Sequence, residues 1–229
     1  MRIFFDIDDT LLDHQSSERA GAKAFYHKHS NTFRNLSQED FYLLWHDVTE
    51  KHFTRFLRGE IDFQRQRQER IFEVFSTVGI KLSDDEADLT YRDYQQEYVQ
   101  NWRLFDDVLL CLENLRKRHD LGIISNGDLK QQSYKLERMG IRDYFDIVVT
   151  ASDVGVPKPE QRIFEVACER CQVSPDQTYY IGDDLRSDVL ACREAGMKGI
   201  WINRLGLVND HADIIAVASL KALEFYDFI

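Results

Sequence analysis

Met1-Arg2-Ile3-Phe4-Phe5-Asp6-Ile7-Asp8-Asp9-Thr10 opens the chain. The run from Ile3 to Asp6 is β-branched and aromatic, and it reads as a short strand closed by charge. The acids and the threonine that follow fall at the carboxyl end of that strand, where open parallel sheets bind ligands. Carboxylates crowded at a buried strand end repel one another unless a cation compensates them. Taken alone, the stretch fits a solvated acidic turn capping a helix equally well.

Further apolar runs follow at Leu121 to Ser125, Phe145 to Thr150, Thr178 to Gly182 and Gly199 to Asn203. They alternate with helical patterns marked by Val108, Leu112 and Leu115, by Leu129, Leu136 and Met139, and by Val189, Cys192 and Ala195. Gly140 and Gly196 stop the last two of these helices. Such alternation is the pattern of βαβ units on a parallel sheet. The stretch from Gln15 to Asn101 contains no convincing strand. It reads as about four amphipathic helices with breaks near Asn31 to Ser37, at Gly59, and between Gly79 and Asp85. Ser37 and Ser83, each followed by acids, have the form of helix N-caps. The expected architecture is α/β, a doubly wound parallel core from residues 1–14 and 102–229 with an all-helical domain of residues 15–101 inserted. No internal repeat or low-complexity segment interrupts it.

The 229 residues are 43% hydrophobic and 30% charged, with only three prolines, as in a folded, water-soluble chain. No apolar stretch reaches the length of a membrane span, and the first apolar run is cut by Asp6 too early for a signal peptide. A cytoplasmic location is therefore expected. Cys111, Cys168, Cys171 and Cys192 lie in helical segments without the paired clusters of a zinc site, and are expected to be reduced packing residues. The net charge of -11 speaks against nucleic acid or an anionic membrane as partner. It also repels a phosphorylated ligand, which such a chain can hold only by concentrating positive potential locally.

Three later features fall at strand ends. Ser125-Asn126-Gly127 closes the second run with a hydroxyl, an amide and a backbone N–H able to meet an oxyanion. Val156-Pro157-Lys158-Pro159-Glu160 sets one lysine between two prolines, which stiffen its backbone. Gly182-Asp183-Asp184, with Asp188 one helical turn on, adds three carboxylates. Singly these fit an N-cap turn, a surface lysine and a capped helix start. Together they require one strand-end position to collect a DxDxT turn, a hydroxyl, a rigid lysine and an acidic cluster by accident.

With these four motifs in order, the chain resembles the haloacid dehalogenase-like superfamily, in the group whose all-helical cap is inserted after the first motif. Gly140-Ile141-Arg142-Asp143-Tyr144-Phe145-Asp146 and Ser152-Asp153-Val154-Gly155 are similar to the branch of nucleotidases and N-acylneuraminate phosphatases. The resemblance implies strand order 5-4-1-2-3, with Asp6 as nucleophile towards phosphorus and Asp8 as general acid and then base. Thr10 and Ser125 would position these groups, with Asn126 and Gly127 at the substrate, and Lys158 would balance the charge of the phosphoaspartate. Mg²⁺ would be held by Asp6, the Asp8 carbonyl and Asp183, with Asp184 and Asp188 binding directly or through water. These roles agree with physical requirement. A carboxylate attacks an anionic phosphate poorly unless a hard cation screens their repulsion, and a second carboxyl can handle the proton.

The expected activity is therefore Mg²⁺-dependent hydrolysis of a small phosphate monoester, a nucleoside monophosphate or sugar phosphate, by a monomer or homodimer. A dehalogenase needs no proton donor at Asp8, whereas a phosphomutase would keep every core residue and differ in how it excludes water. A phosphorelay receiver module also joins an acceptor aspartate, acids, a hydroxyl and a lysine, but carries its acceptor on a mid-chain strand. In the helical segment, Arg55, Arg58, Arg65 and Arg67 flank the Gly59 break and are candidates to reach the substrate. His27, His29, His46 and His52 lack a carboxylate at metal-ligand spacing and read as solvated helix faces.

Overall fold

The computed structural model describes residues 1–225, so residues 226–229 of the expected core lie outside the described residues. Two compact units emerge, one of Met1–Asp13 with the chain from Leu104 onward, the other of His14–Arg103.

In the first unit, β1 (Arg2–Phe5), β2 (Asp120–Ser125), β3 (Ile147–Thr150), β4 (Thr178–Gly182), β5 (Lys198–Ile202) and β6 (Ile215–Val217) form one parallel sheet in the order β3-β2-β1-β4-β5-β6. The expected five-strand order is present with β6 added beyond β5. That three-residue edge strand is too short for alternation to reveal it. Ile3, Phe4 and Phe5 are fully buried, as a central strand covered on both faces requires. In register, Phe5 stands opposite both Ile123 and Ile181, so the residues just beyond β1, β2 and β4 share one edge of the sheet.

In chain order the helices are α1 (His14–Lys28), α2 (Gln38–Leu57), α3 (Phe63–Ser76), α4 (Asp84–Gln100), α5 (Val108–Arg116), α6 (Leu129–Arg138), α7 (Ala151–Val154), α8 (Gln161–Cys171) and α9 (Ala191–Glu194). The expected helix through Val189 and Cys192 is two pieces. A π-helical segment, Leu185–Leu190, runs into α9. Such wide turns are frequent at functional sites. Cys111, Cys168 and Cys192 are buried free thiols, and burial pushes the Cys111 thiol up to about 12, far from a reactive thiolate.

The second unit is α1 to α4. Ser37 accepts from the Asp40 N–H, and Ser83 forms a reciprocal capping box with Glu86. Its core is aromatic, with Trp45 and Tyr94 centroids 4.3 Å apart and Phe25 5.3 Å from Trp45. Ionisable groups lie inside it as well. Glu18, only 3% exposed, accepts from His46 Nδ1 at 2.9 Å. His52 is buried with Nε2 2.8 Å from Glu73, which corrects the expectation of a solvated face. Its carboxylate comes from α3 rather than from its own helix. Among the described residues, no helix is long and apolar enough to cross a membrane.

Candidate active site

The site is built at the carboxyl edge of the sheet. Asp6 continues β1 by one residue, its N–H donating to the Ile181 carbonyl at 2.9 Å. The chain then turns sharply. Asp9 takes a left-handed φ of 58°, and the Leu11 and Leu12 N–H groups fold back onto the Ile7 carbonyl. Left-handed backbone in a non-glycine residue is uncommon, and aspartate is among the few that tolerate it. The turn brings the Thr10 hydroxyl 3.1 Å from Asp183 Oδ1, while Trp201 Nε1 fixes the Asp183 carbonyl at 2.7 Å.

Lys158 is buried among acids. Its Nζ donates to Asp6 Oδ1 at 2.7 Å, Asp188 Oδ1 at 2.6 Å and the Tyr180 hydroxyl at 2.9 Å. Asn126 clamps its backbone, since the Asn126 amide accepts from the Lys158 N–H at 2.7 Å and donates to its carbonyl at 2.9 Å. Asp188 Oδ2 accepts from the Asp184 N–H at 3.1 Å. This approach requires glycine at 182, because a Cβ there would lie 2.3 Å from Asp188 Oδ2.

A second cluster surrounds Asp8. Lys135, from the second turn of α6, donates to both Asp8 oxygens at 2.6 and 2.8 Å. One turn before it, Gln132 Nε2 lies 2.8 Å from Ser125 Oγ and 3.2 Å from Asp8 Oδ2. Neither α6 residue was expected at the site. Their spacing of three places them on one helical face, but nothing local tells such a lysine from one on a surface stripe.

Asp6, Asp8, Asp183 and Asp188 thus face two ammonium groups, Lys158 and Lys135. The imbalance shows in the proton affinities. Burial first, then Asp188 and Asp8, push the Asp6 carboxyl up to about 7 against the pull of Lys158. Burial, Asp188 and Asp6 push Asp183 up to about 9. For Lys158, burial favours the neutral amine, but Asp188 and Asp6 outweigh it and hold the ammonium charged. One oxygen each of Asp6, Asp183 and Asp188 lie within 4.8 Å of one another. An all-oxygen donor set of carboxylates fits a hard divalent cation such as Mg²⁺.

The family model for haloacid dehalogenase-like hydrolases matches residues 1–196. The chain belongs to that family. It is 31% identical over 208 residues to a glyceraldehyde 3-phosphate phosphatase of Methanothermobacter thermautotrophicus, covering 88% of this chain and 84% of that protein. It is 30% identical to the pyrimidine 5'-nucleotidase YjjG of Escherichia coli, over 88% and 85% of the two chains. With human N-acylneuraminate-9-phosphatase the identity is 28%, over 96% and 92%. In fold, the hydrolase is similar to YfnB of Bacillus subtilis, solved with magnesium bound, with a TM-score of 0.81 at 23% identity over 98% and 96% of the chains.

Of the residues singled out in sequence, this hydrolase brings Asp6, Asp8, Thr10, Ser125, Lys158, Asp183 and Asp188 to the strand-end site. Asp184 stands apart from the three-carboxylate group. It is exposed, and its carboxylate accepts from the Ser187 N–H as the N-cap of the π-helical segment. The Asn126 side chain is spent on the Lys158 backbone rather than left open for substrate. Gly127 leaves room for Gln132, whose Nε2 would be 2.8 Å from a Cβ there. The four arginines are engaged inside the helical unit. Arg55 pairs with Glu60 and Glu69, Arg58 with Glu60, and Arg65 with Glu69 and Asp84, while Arg67 lies over the Phe63 and Tyr91 rings.

Proposed function

We propose that the chain is a Mg²⁺-dependent phosphomonoesterase working through an aspartyl-phosphate on Asp6. The observation that carries this reading is the pairing of a buried carboxylate beside Lys158 with a second carboxyl, Asp8, two residues on and fixed by its own partners. In the first half of the reaction an Asp6 oxygen attacks phosphorus. The bond from phosphorus to the ester oxygen breaks, and Asp8 delivers its proton to that oxygen. In the second half Asp8 takes a proton from water as the water oxygen attacks phosphorus, which releases phosphate and restores Asp6. Ser125 Oγ accepts from Gln132, so its own proton is available to a phosphoryl oxygen. Lys158 holds positive charge where negative charge gathers on the transferring group. Held by Asp6, Asp183 and the Asp8 carbonyl, Mg²⁺ would supply further screening and Lewis-acid polarisation.

The substrate class is a small phosphorylated metabolite, such as a sugar phosphate or nucleoside monophosphate, supported by the names of the relatives at 28 to 31% identity. We assign its selection to the helical unit, because the strand-end residues address only the phosphoryl group and the metal. Dehalogenases share the fold, for example the 2-haloacid dehalogenase of Pseudomonas syringae at a TM-score of 0.71. Halide departure needs no proton, however, so the held Asp8 favours ester hydrolysis.

Phosphate release from a panel of monoesters tests the activity, and Asp8→Asn tests the mechanism. The variant should lose about 10²–10⁴-fold on an alkyl phosphate and far less on nitrophenyl phosphate, whose leaving group needs no protonation. Equal losses on both would remove Asp8 from the acid role.

A further inference from the structure

The proton donor of such a reaction must meet the leaving oxygen in one place, yet Asp8 lies just before the left-handed turn at Asp9 and its side chain is 28% exposed. Two side chains of α6 hold it. Lys135 and Gln132 are 3% and 2% exposed, and between them they reach both Asp8 oxygens. Gln132 also ties Asp8 to Ser125 Oγ, so the proton-transfer group and the hydroxyl at the end of β2 share one anchor. The arrangement is costly. Gln132 Oε1 is buried without a hydrogen-bond partner, which costs about 1–3 kcal/mol, and residue 127 must be glycine to admit the side chain. An apolar residue would pack there without the unpartnered oxygen. A glutamine and a lysine one turn apart on one face are instead directed at a single carboxyl.

We propose that Lys135 and Gln132 are positioning residues that fix the Asp8 carboxyl for proton transfer and influence turnover through it rather than through the substrate. The inference rests on the phosphatase reading above. A misplacement of about 1 Å can cost about 10²-fold in rate, which sets the size of effect to look for.

The test is a double-mutant cycle on an alkyl phosphate, whose leaving group needs the Asp8 proton, in the full-length protein with Mg²⁺. Lys135→Met should lower kcat by about 10–10²-fold with little change in KM. Placed on Asp8→Ala, the same substitution should change kcat by less than about twofold, the limit within which independent effects are read as absent. An equal loss in both backgrounds would show Lys135 acting on substrate or fold directly, and would overturn the proposal. Should Lys135→Met fail to fold, Gln132→Met enters the same cycle with the same expectation. Asp6→Asn run alongside separates the two levels. If it abolishes turnover while the cycle shows no coupling, the positioning role alone is wrong. If it retains turnover, or if no ester yields phosphate, the phosphatase reading falls and takes this inference with it.

Discussion

The helical unit and the strand-end site both bring ionisable side chains together, but only one of them balances its charge. In the helical unit, Glu18 meets His46, Glu73 meets both Lys51 and His52, and Arg65 meets Glu69. Burial alone would push the Glu73 carboxyl up, yet Lys51 and His52 hold it below its usual range, and the hydrogen bond to Glu18 raises His46. At the strand ends four carboxylates share two lysines, and Asp6 and Asp183 are driven up to about 7 and about 9. A balanced cluster has nothing left to bind and serves the fold. An unbalanced one is held in place by the fold and lowers its energy by taking up a cation or protons.

The largest break in this contrast should come from Asp6→Asn. Turnover should fall below detection, because an amide cannot form the acyl phosphate. The melting temperature without Mg²⁺ should stay at or above wild type, since the substitution removes one of the excess charges. A clear drop in melting temperature would mean that the cluster is balanced after all.

Chelation comes next. EDTA should abolish phosphate release, and the thermal response should depend on pH with a definite sign. Asp6 and Asp183 have folded values raised above the ordinary carboxyl value of 3.8. Their contribution to stability is therefore complete below that value and is lost as pH rises through about 7 and about 9. Mg²⁺ competes with those protons, so its increase in melting temperature should be larger at pH 8 than at pH 5. A gain that is flat across this range would place the cation elsewhere.

Glu18→Gln probes the balanced side. It should cost about 1.5–3 kcal/mol of stability, the range for a hydrogen bond to a charged group. Because the folded value of His46 is raised, the loss should be full below 6.5 and should fade as pH rises through that folded value. Neither the Mg²⁺ response nor kcat on nitrophenyl phosphate should move.

The smallest stability effects belong to Arg55, Arg58, Arg65 and Arg67. The partly exposed ion pairs of Arg55, Arg58 and Arg65 are worth about 0–1 kcal/mol each and the ring contacts of Arg67 about 0.5–1 kcal/mol each, so alanine should shift the melting temperature only slightly. At least one replacement should raise KM for a preferred ester while sparing nitrophenyl phosphate. An unchanged ranking of substrates would leave these arginines as surface pairs and move selection to other residues.

Much of this was legible in the residues themselves. Short β-branched runs separated by helical periods dictate a parallel sheet, because only a crossover of that length returns a strand in the same direction. Ser125 ends β2, the Gly182-Asp183-Asp184 run ends β4 and the DxDxT turn starts one residue beyond β1, so once the strands are read most of the site edge follows, while Lys158, eight residues past β3, is picked out by its flanking prolines. The serine caps at 37 and 83 are equally local, since a cap and its N–H partner lie three residues apart. What only the tertiary structure decided involves partners far apart in sequence. Lys135 reaches Asp8 across 127 positions and Glu18 meets His46 across 28, while Asn126 is committed to a backbone 32 residues away and Asp184 is held as a cap rather than grouped with the other acids. Composition and period record which face of a helix is polar. Whether a polar side chain on that face meets water, an opposite charge or a catalytic carboxyl depends on which element the fold sets against it, and that is a property of packing between distant segments.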